Sequence, residues 1–195
     1  GGQATVIQFN VPNSSSNCAT VNPPVADQFP IVARQYSDGG VGNDWAVMRT
    51  GTNNLGQRPY DRYGVYRPMA ATYAPVGAAV AVWGYGVDNN NPTWSQTQQT
   101  ASGTIGARLS SYYEHNVDVT YGNSGSALIR SSSSEIVGII THCSFSCDNI
   151  ATRHDLGSFV NARESLCPTN YCSASSSSTS YEYISRVQVG TINNP

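Results

Sequence analysis

Residues 121–129 read YGNSGSALI, and the interpretation of the whole chain starts from this stretch. Ser124 follows Gly122 and Asn123 and precedes Gly125, just before a short apolar run. Glycine permits a tight turn in which neighbouring N–H groups converge on one point. The pattern predicts a serine nucleophile, with the N–H groups of Gly122 and Ser124 as an oxyanion hole. A plain turn without a catalytic role is the alternative.

A second motif, GNDWAVMRT at residues 42–50, places Asp44 before an apolar strand in a stretch with few charges. A lone carboxylate there costs desolvation free energy unless another group pairs with it. Asp44 is therefore a candidate for orienting an imidazole, the base that a serine nucleophile uses. An aspartate that caps a turn is the alternative.

The composition limits the classes of partner. The 195 residues include ten arginines, no lysine and 12 acidic residues, for a net charge of −2. This balance gives no electrostatic reason to expect nucleic acid or an anionic membrane surface. No apolar run reaches the roughly 20 residues that span a membrane. No feature calls for a cofactor or a catalytic metal. The surface is polar and mostly uncharged, which is typical of extracellular proteins, so we expect a secreted protein.

Five cysteines give a further indication of compartment. Cys143 with Cys147, and Cys167 with Cys172, are close pairs that could each close a small disulfide loop, which favours an oxidising environment. Reduced thiols or a metal site are the alternatives, although CSFSCDN lacks a recognised zinc-ligand spacing. Cys18 is left without a partner.

The rest of the chain consists of short Val- and Ile-rich segments separated by turn-forming clusters, which predicts an all-β barrel or sandwich. The predicted strands are 4–11, 29–36, 44–50, 77–86 and 135–142, with a polar hairpin region at 94–109 and one helix within 154–166. After Cys167 a Ser-rich linker precedes a last strand at 181–195. That strand either folds back on the domain or begins another one.

The motifs NDWAVM, GNSGS and IVGIITHC, in this order, resemble those of the trypsin-like (chymotrypsin-fold) serine peptidases, in the style of bacterial secreted members. The resemblance implies an all-β fold of two barrels with one short C-terminal helix. Residues 1–167 would form the peptidase domain, with the first barrel over about 1–75 and the second barrel and helix over 76–167. Residues 168–195 would be a linker and a strand that resembles the start of a GEVED-type module.

The resemblance also implies roles for individual residues. Ser124 is the nucleophile that forms an acyl-enzyme, and Asp44 orients a histidine. Thr141 takes the place of a hydroxyl residue that hydrogen-bonds near that aspartate. Thr141 and His142 lie on the strand that contacts bound peptide and are candidate substrate-binding residues.

Two positions near the nucleophile bear on specificity and activation. Asp118 falls where the family has the base of its primary specificity pocket, and a carboxylate there favours Arg or Lys before the scissile bond. A one-residue loop shift would instead make it a strand-end residue. Asn123 replaces an aspartate that pairs with a new N-terminus in zymogen activation, so the resemblance implies no such switch here.

The base is missing from the place where the family has it, because residues 1–43 contain no histidine. His115, His142 and His154 all lie downstream, where we expect ordinary surface or packing roles. The family's histidine is followed by a cysteine that pairs within the first barrel, and Cys18 lacks such a partner. The resemblance therefore implies an upstream segment that carries the histidine and is disulfide-linked to Cys18. The first barrel is then incomplete at its N-terminus.

These features favour a secreted serine endopeptidase that acts on protein or peptide substrates. The alternative is a catalytically inactive binding or extracellular assembly protein on the same fold. The absent base and the Tyr-, Ser- and Asn-rich surface prompt that alternative.

Overall fold

Two β-structures, one open and one closed, dominate the computed structural model, which describes residues 4–143 and 148–167. Among these residues, no helix has the length and apolar character that a membrane span needs. In chain order the elements are β1 (Val6–Gln8), β2 (Gln28–Asp38), β3 (Asp44–Thr50), α1 (Pro59–Tyr63), β4 (Ala79–Gly84), β5 (Gln99–Arg108), β6 (Tyr112–His115), β7 (Ala127–Arg130), β8 (Ile136–Cys143), β9 (Asn149–Arg153) and α2 (Gly157–Leu166).

Six antiparallel strands form a closed barrel in the order β4–β5–β6–β9–β8–β7. Inward-facing residues alternate along β4, as the two-residue repeat of a strand requires. Val80 and Val82 of β4, Ile105 of β5 and Leu128 of β7 are almost completely buried in one core. The closed barrel is the frame that carries the loop between β6 and β7, which contains Ser124.

The strands β1, β2 and β3 form an open antiparallel sheet in that order. Phe9, Phe29 and Tyr63 make its small core, with ring centroids 5.0 to 6.3 Å apart. Within the described residues no other strand pairs with β1 or β3, so both edges of the sheet are open. An all-β fold with a closed second barrel, an incomplete first barrel and one short C-terminal helix is thereby confirmed.

The helix α2 returns from the barrel to pack on the open sheet. Trp45 of β3 meets Phe159 edge-to-face, with ring centroids 5.8 Å apart, and Ala162 is buried in the same cluster. The Nε2 atom of Gln35 also donates a hydrogen bond to Ser165 Oγ on α2. The aromatic contact holds the start of β3, and with it the position of Asp44.

The short elements α1 and β6 lie outside the strands and the helix that were predicted from the sequence. Pro59 occupies the first helical position of α1, Asp61 accepts a hydrogen bond from the Arg58 N–H, and Gly64 ends the helix with a φ of 64°. These are ordinary start and stop signals. A helix of five residues and a strand of four are too short to show a hydrophobic repeat, so pattern analysis misses them.

The division of the chain at about residue 75 stays a prediction. The closed barrel begins with β4 at Ala79. Before it, an isolated β-bridge joins Met69 to Ile136 of β8. The predicted linker and terminal strand, residues 168–195, lie outside the described residues, as does their resemblance to a GEVED-type module.

A buried carboxylate, Asp27, ties the open sheet to α1. It accepts hydrogen bonds from the side chains of Arg62, Tyr63 and Asn10. Burial alone would raise the pKa of Asp27, but these three donors outweigh burial, and its pKa lies below the usual value. Burial and the neighbouring carboxylate in turn raise the pKa of Tyr63 to about 12.

We expect Asp27→Asn to lower the free energy of unfolding by about 2 to 3 kcal/mol, because the amide NH₂ would face other donors in a buried site. The control is Asp61→Asn, since that exposed side chain keeps an oxygen to accept the Arg58 N–H. Chemical unfolding of both variants measures the difference. Similar losses in the two variants would contradict the prediction.

Candidate active site

The nucleophile loop, residues 120–126, is a tight turn between β6 and β7. Gly122 and Gly125 have φ angles of 93° and 89°, which favour glycine. The N–H of Asn123 donates to Thr120 O at 3.2 Å, and the N–H of Ser126 donates to Asn123 O at 3.0 Å. These bonds leave Ser124 exposed at the tip of the turn.

Two backbone donors in this loop are available to a ligand. The N–H of Gly125 is not one of them, because it donates to Ile140 O at 2.8 Å. The N–H groups of Gly122 and Ser124 donate to no acceptor among the described residues. These are the two groups predicted to form the oxyanion hole. Their availability suits that role, which stays a prediction.

Ser124 lies beside the end of β8. Its Oγ donates a hydrogen bond to Thr141 O at 3.2 Å, so the nucleophile and the predicted substrate strand are in contact. The Thr141 hydroxyl contacts Ile150 O on β9 at 3.5 Å rather than Asp44. His142 is half-buried, and its Nδ1 has no hydrogen-bond partner within residues 4–143 and 148–167.

Asp118 lies on the segment that leads from β6 to the nucleophile loop. The adjacent Val117 is buried, and its carbonyl accepts a 2.8 Å hydrogen bond from Asn149 Nδ2 at the start of β9. This bond holds the segment against the β8–β9 edge. The Asp118 side chain is exposed to solvent, and its role in a specificity pocket stays a prediction.

Asp44 is the half-buried first residue of β3 and pairs across the hairpin with Asp38. Its carboxylate makes no hydrogen bond or ion pair with any other described residue. The turn before it packs on the barrel, since a Cβ added at Gly42 would lie 2.1 Å from Ser111 Oγ. The carboxylate thus lies on a hairpin whose turn packs on the barrel, and among the described residues no donor occupies it.

The two remaining histidines, His115 and His154, are buried in the structure. His115 is 1% exposed, and neither ring nitrogen has a partner among the described residues. Burial lowers its pKa to about 4. The ring nitrogens of His154 contact Val137 O at 2.7 Å and Ala70 O at 2.8 Å, which places this ring in a packing role. In the described part of the chain, no histidine hydrogen-bonds Ser124 or Asp44.

A family model described as trypsin matches residues 12–160, which include both Asp44 and Ser124. The chain belongs to the trypsin family. No curated protein is similar enough to count as a relative. Membership supports a serine peptidase function in general terms, and the individual residue roles remain predictions.

Solved structures of peptidases share the fold of this trypsin-family chain. A Glu endopeptidase in complex with MPD is 20% identical, with a TM-score of 0.59, and the match covers 82% of this chain and 79% of that one. A thermostable serine protease from an extremophilic microorganism is 16% identical, with a TM-score of 0.59 and coverage of 82% and 74%. A scabies mite inactivated protease paralogue is 15% identical, with a TM-score of 0.58 and coverage of 83% and 75%. At these identities the matches show the chymotrypsin-like fold alone.

The cysteines of this trypsin-family chain depart from the sequence-based prediction. Cys143 is a free, exposed thiol, so the predicted Cys143–Cys147 disulfide is wrong. Cys143 is the last residue of β8 and pairs with Asn149, so strand pairing determines its position. Cys167 is disulfide-bonded, but Cys147 and Cys172 lie outside the described residues, and its predicted pairing with Cys172 stays a prediction.

The remaining described cysteine, Cys18, is also free and exposed, with a φ of 64°. It lends no support to the predicted disulfide with an upstream segment. An exposed thiol is available for such a bond, so the linkage remains open to a direct test.

Proposed function

We propose that this chain carries the nucleophile of a secreted serine endopeptidase. The observation that supports this most directly is the geometry of Ser124. The serine is exposed on a glycine turn, beside the predicted substrate strand and next to two backbone N–H groups that donate to no acceptor among the described residues. This arrangement combines a nucleophile with donors for a developing oxyanion.

The chemistry follows from these groups. Ser124 Oγ attacks the scissile carbonyl carbon and transfers its proton to an imidazole base. The N–H groups of Gly122 and Ser124 stabilise the negative oxygen of the tetrahedral intermediate. The C–N bond then breaks, and the leaving amine takes the proton from the imidazolium. Water, activated by the same imidazole, hydrolyses the acyl-enzyme and regenerates the serine.

The imidazole in this proposal comes from a segment upstream of residue 1. His115 and His154 are buried in packing positions, and among the described residues His142 makes no hydrogen bond with Ser124. The carboxylate of Asp44, which has no hydrogen-bond partner among the described residues, would accept the Nδ1–H of that ring and stabilise the imidazolium. This part of the proposal predicts that residues 1–195 alone are far less active than the natural protein.

Specificity and location are further parts of the proposal. The exposed carboxylate of Asp118, close to the β8–β9 edge, would favour Arg or Lys before the scissile bond through charge-assisted hydrogen bonds. The low charge, the polar surface and the disulfide at Cys167 suit a secreted protein, and the bacterial type rests on the resemblance of the motifs alone.

A fluorophosphonate probe tests the proposed function, because it labels only activated serines. In the natural, full-length protein we expect rapid labelling that is lost in Ser124→Ala, and labelling about 10³-fold slower for residues 1–195 alone. The control is Ser126→Ala, since Ser126 is in the same loop and is not the predicted nucleophile. Wild-type protein that is not labelled would instead support the inactive binding or assembly protein.

A further inference from the structure

The nucleophile loop is built around one buried polar side chain, that of Asn123. We propose that Asn123 is a positioning residue whose amide is held between Gly84, Gly86 and Thr120, and so keeps Ser124 in place without a charged partner. We call these four residues, Asn123, Gly84, Gly86 and Thr120, the amide clasp. The inference rests on the proposed function, since it gives the clasp a task only if Ser124 is the nucleophile.

Hydrogen bonds define the orientation of the amide. Asn123 is 8% exposed, and its Nδ2 lies 3.2 Å from Thr120 O and 3.4 Å from Thr120 Oγ1. The backbone N–H of Asn123 donates to the same carbonyl oxygen. A carbonyl oxygen only accepts, so the amide nitrogen must face Thr120. An aspartate at this position would place a carboxylate oxygen against Thr120 O, and neither of these atoms can donate a hydrogen bond. The site therefore favours asparagine.

The end of β4 provides the space for this amide. A Cβ added at Gly84 would lie 1.9 Å from Asn123 Oδ1, and one added at Gly86 would lie 2.3 Å from Asn123 Nδ2. The Gly86 position is also 2.2 Å from Thr120 Oγ1. Neither glycine has a positive φ. It is therefore the need for space, not for an unusual backbone conformation, that requires glycine at both positions.

The clasp is connected to the backbone on each side of the nucleophile. The N–H of Val87 donates to Tyr121 O at 2.8 Å, and the N–H of Ser126 donates to Asn123 O at 3.0 Å. Ser124 lies between these two points, so a displaced Asn123 would displace Ser124 and its N–H group as well. Within the described residues no charged side chain takes part. The order of the loop should therefore depend little on salt.

The first test compares two isosteric variants in the natural, full-length protein. Asn123→Asp removes the donor to Thr120 O. Asn116→Asp adds the same charge seven residues away, but Asn116 uses its Oδ1 to accept the Thr104 N–H, which a carboxylate also does. We expect fluorophosphonate labelling of Ser124 to be about 100-fold slower in Asn123→Asp and less than about threefold slower in Asn116→Asp. The pH midpoint of labelling should not move, because the base is unchanged. Similar rates in the two variants would overturn the proposal.

The second test is a double-mutant cycle on thermal unfolding. Gly84→Ala should lower the melting temperature less in Asn123→Ala than in wild type, because Asn123 Oδ1, 1.9 Å from the new Cβ, is then gone, whereas Ser126 Oγ, 2.7 Å from it, is present in both backgrounds. Gly106→Ala is the control, since a Cβ there would meet only Glu114 O, at 3.6 Å. Additive losses for Gly84→Ala and Asn123→Ala would overturn the clasp. The unfolding cycle does not depend on catalysis. A wild-type protein that the fluorophosphonate does not label would therefore contradict the proposed function, while the cycle would still decide whether the clasp exists.

Discussion

An Asp44→Asn variant is expected to hydrolyse a peptide substrate with a kcat about 10⁴-fold below that of the wild type. The amide has nearly the shape of the carboxylate but carries no charge, so it neither stabilises an imidazolium nor holds the correct tautomer. Asp44 suits this role in the structure. It is half-buried on the β2–β3 hairpin and has no hydrogen-bond partner among the described residues.

The control for this variant is Asp38→Asn. Asp38 pairs with Asp44 across the hairpin but is exposed. Asp38→Asn therefore removes the same charge from the same hairpin, at a residue that has no proposed catalytic role. We expect its kcat to stay within about twofold of wild type. Both variants should unfold as the wild type does. A kcat for Asp44→Asn within tenfold of the wild-type value would contradict the assignment.

The unfolding free energy should fall by roughly 3 kcal/mol between pH 7 and pH 4 because of His115 alone. Burial lowers its pKa in the folded protein to about 4, from an ordinary value of 6.5. Above pH 6.5 both states are neutral at this residue. Between pH 6.5 and 4 only the unfolded chain takes up the proton, so acid favours unfolding. The pKa of Asp27 is lowered in the folded protein, so its contribution to stability is lost as the pH falls below the range from 7 to 4.

A His115→Leu variant checks this prediction, because it removes the titrating group and keeps an apolar side chain in the barrel. Chemical unfolding at pH 7, 5.5 and 4 should show a much flatter pH dependence than in wild type. Val117→Ala is the control, since this fully buried neighbour carries no titrating group. That variant should lose stability at every pH and keep the wild-type slope. An unchanged slope in His115→Leu would show that another group is responsible.

The sequence predicts the nucleophile loop well because the residues that form it are contiguous. Gly122, Ser124 and Gly125 determine the turn by their own conformational preferences, and both glycines have positive φ angles in the structure. The alternation of Tyr113, His115 and Val117 with more polar residues could also have indicated a strand with an inward-facing histidine. This signal covers too few residues to distinguish a buried ring from an exposed one.

The amide clasp could not be predicted in this way. Gly84 and Asn123 are far apart in the sequence and meet only because the end of β4 packs against the nucleophile loop. The error at Cys143 has a related cause. Its proximity to Cys147 in the sequence favours a small disulfide loop, but its pairing with Asn149 on β9 determines where the thiol lies.

By itself, the sequence determined the all-β class, the order of Asp44 and Ser124, and the glycine turn, because local propensities and contiguous motifs specify these features. Only the tertiary structure decided which polar groups are buried. It placed the His115 ring inside the barrel, directed the Asn123 amide between two glycines and left the Asp44 carboxylate without a hydrogen-bond partner among the described residues. Burial and hydrogen-bond partners come from strands distant in the sequence, and barrel closure brings those strands together.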